Sequence, residues 1–180
     1  MQRISVVGNS GSGKSTLARR VAAALDIPHL ELDAVFHQPG WQPLETGEFR
    51  RRVTEFTAGP AWVVDGNYSK VRDIVWSRAD TVLWLDPPRH RVMRQLIWRT
   101  LRRMVTRAEL WNGNRENWRF LFNREESILA WAWTSHHKYR ERYLSAQADP
   151  ANAHLTFVRL GTADQAEAFL RDVAARAARP

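Results

Sequence analysis

Apolar positions along this chain follow two periods. Residues 4–7 form a short apolar run that ends at Gly8. Over 15–25, Leu17, Val21 and Leu25 recur at spacing four, the period of one helix face. Residues 28–33 alternate, with Leu30 and Leu32 on one side, and predict a strand. A short helix is predicted over 48–57. Gly59-Pro60 then breaks the chain before a strand over 61–65. Residues 70–78 read as helical, and 81–86 as a strand closed by Pro87-Pro88. The pattern from 89 to 143 is helical, interrupted near 111–114. A last strand over 155–160 precedes a last helix over 163–178. Strands alternating with helices indicate βαβ units, hence an α/β fold on a parallel sheet. A chain of 180 residues reads as a single domain. The helical stretch 89–143 is an insert in it, ahead of the last strand.

Charge singles out that insert. Residues 89–143 hold 13 Lys+Arg and 5 Asp+Glu, so the whole excess of +8 lies there, with five of the nine tryptophans. Lysine occurs three times in the chain, and arginine supplies the rest. Its planar fork matches phosphate oxygens two at a time. A solvated helical face is the plain alternative. The absence of cysteine excludes a disulfide scaffold, a Cys-based zinc site and a thiol nucleophile. No apolar run approaches the roughly 20 residues that span a bilayer. The opening residues, MQRISVVGNSGSGKST, lack the apolar core of a secretory leader. These features predict a soluble cytoplasmic protein without a membrane partner.

Chemistry enters at the end of the first strand. Gly8-Asn9-Ser10-Gly11-Ser12-Gly13-Lys14-Ser15 fits G-x-x-x-x-G-K-[ST] without departure, and Thr16 follows inside the helix. Glycines let the backbone wrap so that several N–H groups point at phosphate oxygens. The helix that follows aims its positive end at the same anion. Lys14 suits the β- and γ-phosphates of ATP, and the Ser15 hydroxyl suits Mg²⁺. An N-K-x-D base-reading motif of GTPases is absent. Three of the predicted strands end in aspartate: Asp33, Asp65 and Asp86. Ligands of parallel sheets sit beyond the carboxyl ends of the strands. An aspartate there can hold Mg²⁺ through water or take a proton from an acceptor hydroxyl. Asp86, followed by two prolines, suits a turn better.

Three motifs together resemble a family. They are Gly8 to Ser15; Leu32-Asp33-Ala34-Val35-Phe36 with Pro39-Gly40-Trp41; and Asp65-Gly66-Asn67-Tyr68-Ser69. Over roughly residues 1–90 the chain resembles the adenylate-kinase-like P-loop proteins labelled topology modulation proteins, and the wider nucleoside monophosphate kinase fold. The resemblance implies a five-stranded parallel sheet, a small acceptor-binding segment and a mobile lid bearing arginines. It implies Lys14 and Ser15 as phosphate and Mg²⁺ groups, Asp65 as a water-mediated Mg²⁺ partner, and Asp33 as the contact to the acceptor. The lid and its flanking helices would fall in 89–124. True adenylate kinases carry Phe-Pro-Arg after Asp-Gly, with the arginine on the AMP phosphate. Here Asn67-Tyr68-Ser69 stand in that place, and the nearest arginine is Arg72. AMP is therefore a poor candidate acceptor.

Within the insert, Asn112-Gly113-Asn114 predicts a tight turn. Arg115, Arg119 and Arg124 follow at helix-like spacing. In a lid they would stabilise the transferring phosphoryl group. On a nucleic-acid face they would hold the backbone while tryptophans stack on bases. As packing, Trp98, Trp118, Trp131 and Trp133 would fill helix interfaces. His136 and His137 have no metal-binding partner pattern; the resemblance implies a loop at Gly161 that backs the nucleotide base, and a plain connection explains that glycine equally well. The whole reads as a kinase that transfers the γ-phosphoryl of ATP to a small-molecule acceptor: a nucleotide, a nucleoside or a small alcohol. A nucleic-acid-binding NTPase is the rival.

Overall fold

A computed structural model describes residues 1–106, 109–115 and 128–178, with the backbone alone over 128–136. Five strands form one sheet: β1 (Arg3–Gly8), β2 (His29–Glu31), β3 (Trp62–Asp65), β4 (Thr81–Leu85) and β5 (Thr156–Leu160). Their order is β2-β3-β1-β4-β5, and every neighbouring pair is parallel. β1 is therefore central. Its register sets Val6 against Asp65 on one side and Leu83 on the other.

Both faces of a parallel sheet must be covered, so its strands read as continuous apolar runs. Alternate residues then feed two cores. Ile4, Val6, Val63, Leu83 and Leu85 pack with Leu17, Ala18 and Val21 of α1 (Lys14–Leu25) and Leu170 of α7 (Ala163–Ala177). Val7, Val64, Val82 and Trp84 pack on the other face. There they meet Phe49 and Val53 of α3 (Thr46–Phe56), Val75 and Trp76 of α4 (Ser69–Arg78), and Tyr143 of α6 (Ile128–Ala148). Burying one such side chain is worth about 1.5–3 kcal/mol. Two buried indole N–H groups of this face are satisfied. Trp62 Nε1 donates to the Thr57 carbonyl at 3.2 Å, and Trp76 Nε1 to Ser5 Oγ at 3.2 Å.

Two expectations change. Asp33 does not end a strand: β2 stops at Glu31 and the chain turns at once into α2 (Leu32–Phe36), with Asp33 in its first turn. A three-residue edge strand leaves no length for the alternating pattern to continue, and Leu32 serves the core instead from the helix. Trp98 does not fill an interface. It lies on α5 (Arg89–Thr106) with 71% of its surface exposed, because α5 turns Val92, Leu96, Thr100 and Met104 inward. Trp118 falls outside the described residues, as do the side chains of Trp131 and Trp133. No helix among the described residues is long and apolar enough to cross a membrane.

Candidate active site

The loop between β1 and α1 is built for an anion. Gly8, Gly11 and Gly13 all have positive φ, a region open to glycine and strained for other residues. Space forbids side chains as well. A Cβ on Gly8 would sit 2.6 Å from the Leu85 carbonyl oxygen, and one on Gly11 would meet α5 at 3.0 Å, at Leu96 and Val92. The turn inside the loop is closed by Ser12 N–H on the Asn9 carbonyl, 3.1 Å, and by Ser10 N–H on Asn9 Oδ1, 2.8 Å. Gly13 caps α1 with no side-chain hydrogen bond, and the first turn carries no acid. The positive end of this twelve-residue helix thus has neither a side-chain cap nor an acid in its own first turn. Lys14 and Ser15 lie half-buried at that end, and Thr16 is exposed.

Asn67 fastens the loop to the exit of β3. Its amide bonds both polar groups of Gly8: Gly8 N–H donates to Oδ1 at 3.2 Å, and Nδ2 donates to the Gly8 carbonyl at 2.5 Å. The Tyr143 hydroxyl of α6 adds a bond to Oδ1 at 2.9 Å. Three elements therefore meet at one amide. Burial pushes the Tyr143 hydroxyl up, so it stays a donor.

Asp65 closes β3 beside this loop and is 1% exposed. Among the described residues, neither of its carboxylate oxygens has a hydrogen-bond partner. His29 Nε2 on β2 lies 3.7 Å from Oδ1, beyond hydrogen-bond distance, and that nitrogen is itself buried with no hydrogen bond among the described residues. Buried carboxylates are normally paired or bound to metal. This orphaned pair of oxygens, on the strand beside the one that leads into the P-loop, fits Mg²⁺, which takes one or two carboxylates plus phosphate oxygens and water.

Asp33 lies on the far side of β3, on the edge-strand side of the sheet. The Tyr68 hydroxyl donates to its Oδ1 at 2.7 Å and lies 3.2 Å from His37 Nε2. Rings surround this spot: Phe36 packs on Tyr68 at 4.7 Å, and His37 meets Trp41 at 5.3 Å and Trp111 at 6.1 Å. Asp86 stands apart from both carboxylates. Arg159 Nε donates to it at 2.9 Å and Arg140 approaches to 3.5 Å, so it serves an ion pair at the end of β4.

The Asn-Gly-Asn turn forms as expected, with Asn112 and Gly113 at positive φ. It does not hang free. Asn112 Nδ2 donates to the carbonyls of Ala34 (3.1 Å) and His37 (2.6 Å), and Asn114 Nδ2 to that of Gln38 (2.9 Å). Trp41 returns two bonds, N–H to Asn114 Oδ1 at 2.9 Å and Nε1 to the Arg115 carbonyl at 3.3 Å. This middle part of the insert is thereby docked on the Pro39–Trp41 turn beside Asp33. The Arg115 side chain is exposed there, while Arg119 and Arg124 fall outside the described residues. His137 is exposed near Glu141, at 3.4 Å. Gly161 N–H donates to Gln165 Oε1 at 2.7 Å within a capping box that starts α7.

Sequence reasoning passed over four groups of the site: Asn67, Tyr68, His37 and His29. Asn67 and Tyr68 lie inside a motif already singled out, directly after Asp65-Gly66, and that placement was the available signal. His29 and His37 carried none.

The fold is similar to that of two solved shikimate kinases. One, from Acinetobacter baumannii in complex with shikimate, is 18% identical with a TM-score of 0.56, over 99% of this chain and 96% of that one. Another, from Bacteroides thetaiotaomicron, is 15% identical with a TM-score of 0.52, over 97% of each chain. No protein-family model matches the chain, and no curated protein matches its sequence. At such identities the likeness is one of fold: a five-stranded parallel sheet of the P-loop kinase type, covered by helices on both faces.

Proposed function

We propose that this chain is an ATP-dependent phosphotransferase. It moves the γ-phosphoryl of ATP to a hydroxyl of a small acceptor bound beside Asp33. One observation carries the reading: beside β1 and the P-loop that follows it, β3 ends in a buried carboxylate, Asp65, whose two oxygens have no hydrogen-bond partner among the described residues. In this reading the loop from Gly8 to Thr16 cradles the phosphates through the N–H groups at the start of α1, Gly13 to Thr16, while those of Gly8, Ser10 and Ser12 shape the loop on Asn67 and Asn9, and Lys14 pairs with the phosphate charge. Ser15 would hold Mg²⁺ directly and Asp65 through water. When bound, Mg²⁺ neutralises charge on the β- and γ-phosphates. Asp33 takes the acceptor proton, and Arg115, Arg119 and Arg124 supply lid cations. The kinase fold and the resemblance to topology modulation proteins both support this assignment.

The test is a turnover screen with Mg²⁺–ATP and shikimate, gluconate, nucleosides and nucleoside monophosphates. ADP and a phosphorylated acceptor should appear in equal amounts with at least one acceptor, and Lys14→Ala should abolish both. Hydrolysis alone, with every acceptor left unmodified, would sink the phosphotransferase reading. The rival, a nucleic-acid-binding NTPase, has one observation of its own. α5 carries six arginines and no acid, with Trp98 exposed on it.

A further inference from the structure

Asp33 has one carboxylate oxygen engaged and one open. Tyr68 O–H donates to Oδ1, and among the described residues no hydrogen bond reaches Oδ2. A tyrosine hydroxyl has a single proton, here given to the carboxylate. Its contact with His37 Nε2 at 3.2 Å then requires the imidazole to carry hydrogen on Nε2 and to donate to the tyrosine oxygen. The three groups form a directed chain, His37 to Tyr68 to Asp33.

The local fold is shaped to make this contact. A Cβ on Gly66 would lie 2.8 Å from Leu32 Cβ. Only glycine there lets the turn after β3 approach α2 so closely, and Tyr68 follows two residues later as the residue that precedes α4. The tyrosine ring is held independently of its hydroxyl, by Phe36 at 4.7 Å and Phe49 at 5.3 Å.

We propose that Tyr68 is a positioning residue for phosphoryl transfer, whose hydroxyl fixes Oδ1 of Asp33 so that Oδ2 is the oxygen that receives the acceptor proton. The inference rests on Asp33 being the base. In the step, the acceptor oxygen bonds to the γ-phosphorus. The bond from that phosphorus to the bridging oxygen breaks, and its electron pair leaves with ADP. The acceptor proton ends on Oδ2. Tyr68 keeps its own proton throughout. Burial, then the charge of Asp33 and the hydrogen bond to it, push the tyrosine hydroxyl well above its ordinary value.

Tyr68→Phe removes the hydroxyl and keeps the ring. The rate is read with Mg²⁺–ATP and water as the acceptor, so no other acceptor need be identified. The expected kcat falls about 10-fold, and Asp33→Asn falls about 100-fold or more. KM for ATP stays within about twofold and the melting temperature within about 4 °C, as for a loss near 1 kcal/mol. The double variant should be no slower than Asp33→Asn alone, because the hydroxyl acts through that carboxylate. An unchanged kcat in Tyr68→Phe, or a further loss in the Asp33→Asn background, overturns the inference. A silent Tyr68→Phe beside a crippled Asp33→Asn sinks this inference alone. Full turnover in Asp33→Asn sinks the base assignment beneath it.

Discussion

Single side chains in this protein divide into those that serve the fold and those that the fold pays to keep, and Asp65 belongs to the second kind. A carboxylate 1% exposed with no hydrogen bond is costly where it stands. Asp65→Asn should therefore melt no lower than the parent while losing Mg²⁺-dependent turnover. Metal-assisted charge stabilisation is worth several kcal/mol, about 100-fold or more in kcat. Nucleotide affinity measured without metal should hold. Equal loss with and without Mg²⁺, together with a lower melting point, would make Asp65 a structural residue. Asp80 is the contrasting case. Burial pushes its carboxyl up, but hydrogen bonds from Thr81, Arg3 and Gln2 outweigh that and leave it below the ordinary range. A lowered folded value stabilises the protein above the unfolded value near 3.8, and that share is lost as pH falls below it. Asp80→Asn should accordingly flatten the fall in melting temperature between about pH 5 and pH 3. A parallel, uniformly shifted curve would mean that the carboxylate charge is not what the N-terminal strand uses.

Elements show which parts of this structure the chain spells out locally. Every predicted strand is present because parallel-sheet strands need continuous apolar runs, and runs such as Val6-Val7 and Val63-Val64 are visible without any partner. The P-loop was equally legible, since Gly8, Gly11 and Gly13 declare their backbone requirement by themselves. Asp33 was found but given the wrong element, because a three-residue strand followed at once by a helical turn leaves no period to read. What lay hidden was contact between distant segments. Asn112-Gly113-Asn114 announces a turn, yet its partners Ala34, His37, Gln38 and Trp41 lie more than 70 residues earlier. Asn67 likewise reaches back 59 residues to Gly8. Docking of the Trp111–Gly113 turn on the Pro39–Trp41 turn makes a prediction of its own. Asn114 is 4% exposed and uses both ends of its amide. Asn114→Ala leaves the Trp41 N–H and the Gln38 carbonyl without that partner, at about 1–3 kcal/mol. Amide exchange should accelerate around 38–41 and 110–115 while the amides of β1 stay slow. Acceleration spread evenly over the sheet would show that the contact supports the whole fold rather than the wall beside Asp33.

At the scale of the molecule, the open choice is what the basic insert faces. The entire +8 excess falls in 89–143, and α5 presents Arg94, Trp98, Leu101 and Arg102 to solvent. That combination would suit a nucleic-acid strand, with arginine on the backbone and tryptophan on a base. Against it, α5 also exposes Val105 at 77%, an aliphatic side chain with no base to stack on. α5 also packs Leu96 and Val92 directly against Gly11, which couples the helix to the phosphate loop. The turn at 111–115, midway along the insert, is docked beside Asp33. Contacts with both the phosphate loop and the surroundings of Asp33 are what the proposed lid role requires. Arg115→Ala should then lower kcat, and arginine-finger losses reach about 1,000-fold. A single-stranded 20-mer should bind no tighter than about 10⁻⁴–10⁻⁶ M near physiological salt, the range of non-specific contact. Trp98→Ala should leave that affinity within about twofold, whereas loss of a stacked base costs about 1–3 kcal/mol. Binding at low salt decides nothing, because any face of this charge attracts polyanions when the Debye length is long. Tight binding near physiological salt that Trp98→Ala weakens, beside an unchanged kcat in Arg115→Ala, would turn α5 into a nucleic-acid face and reverse the order of the two readings.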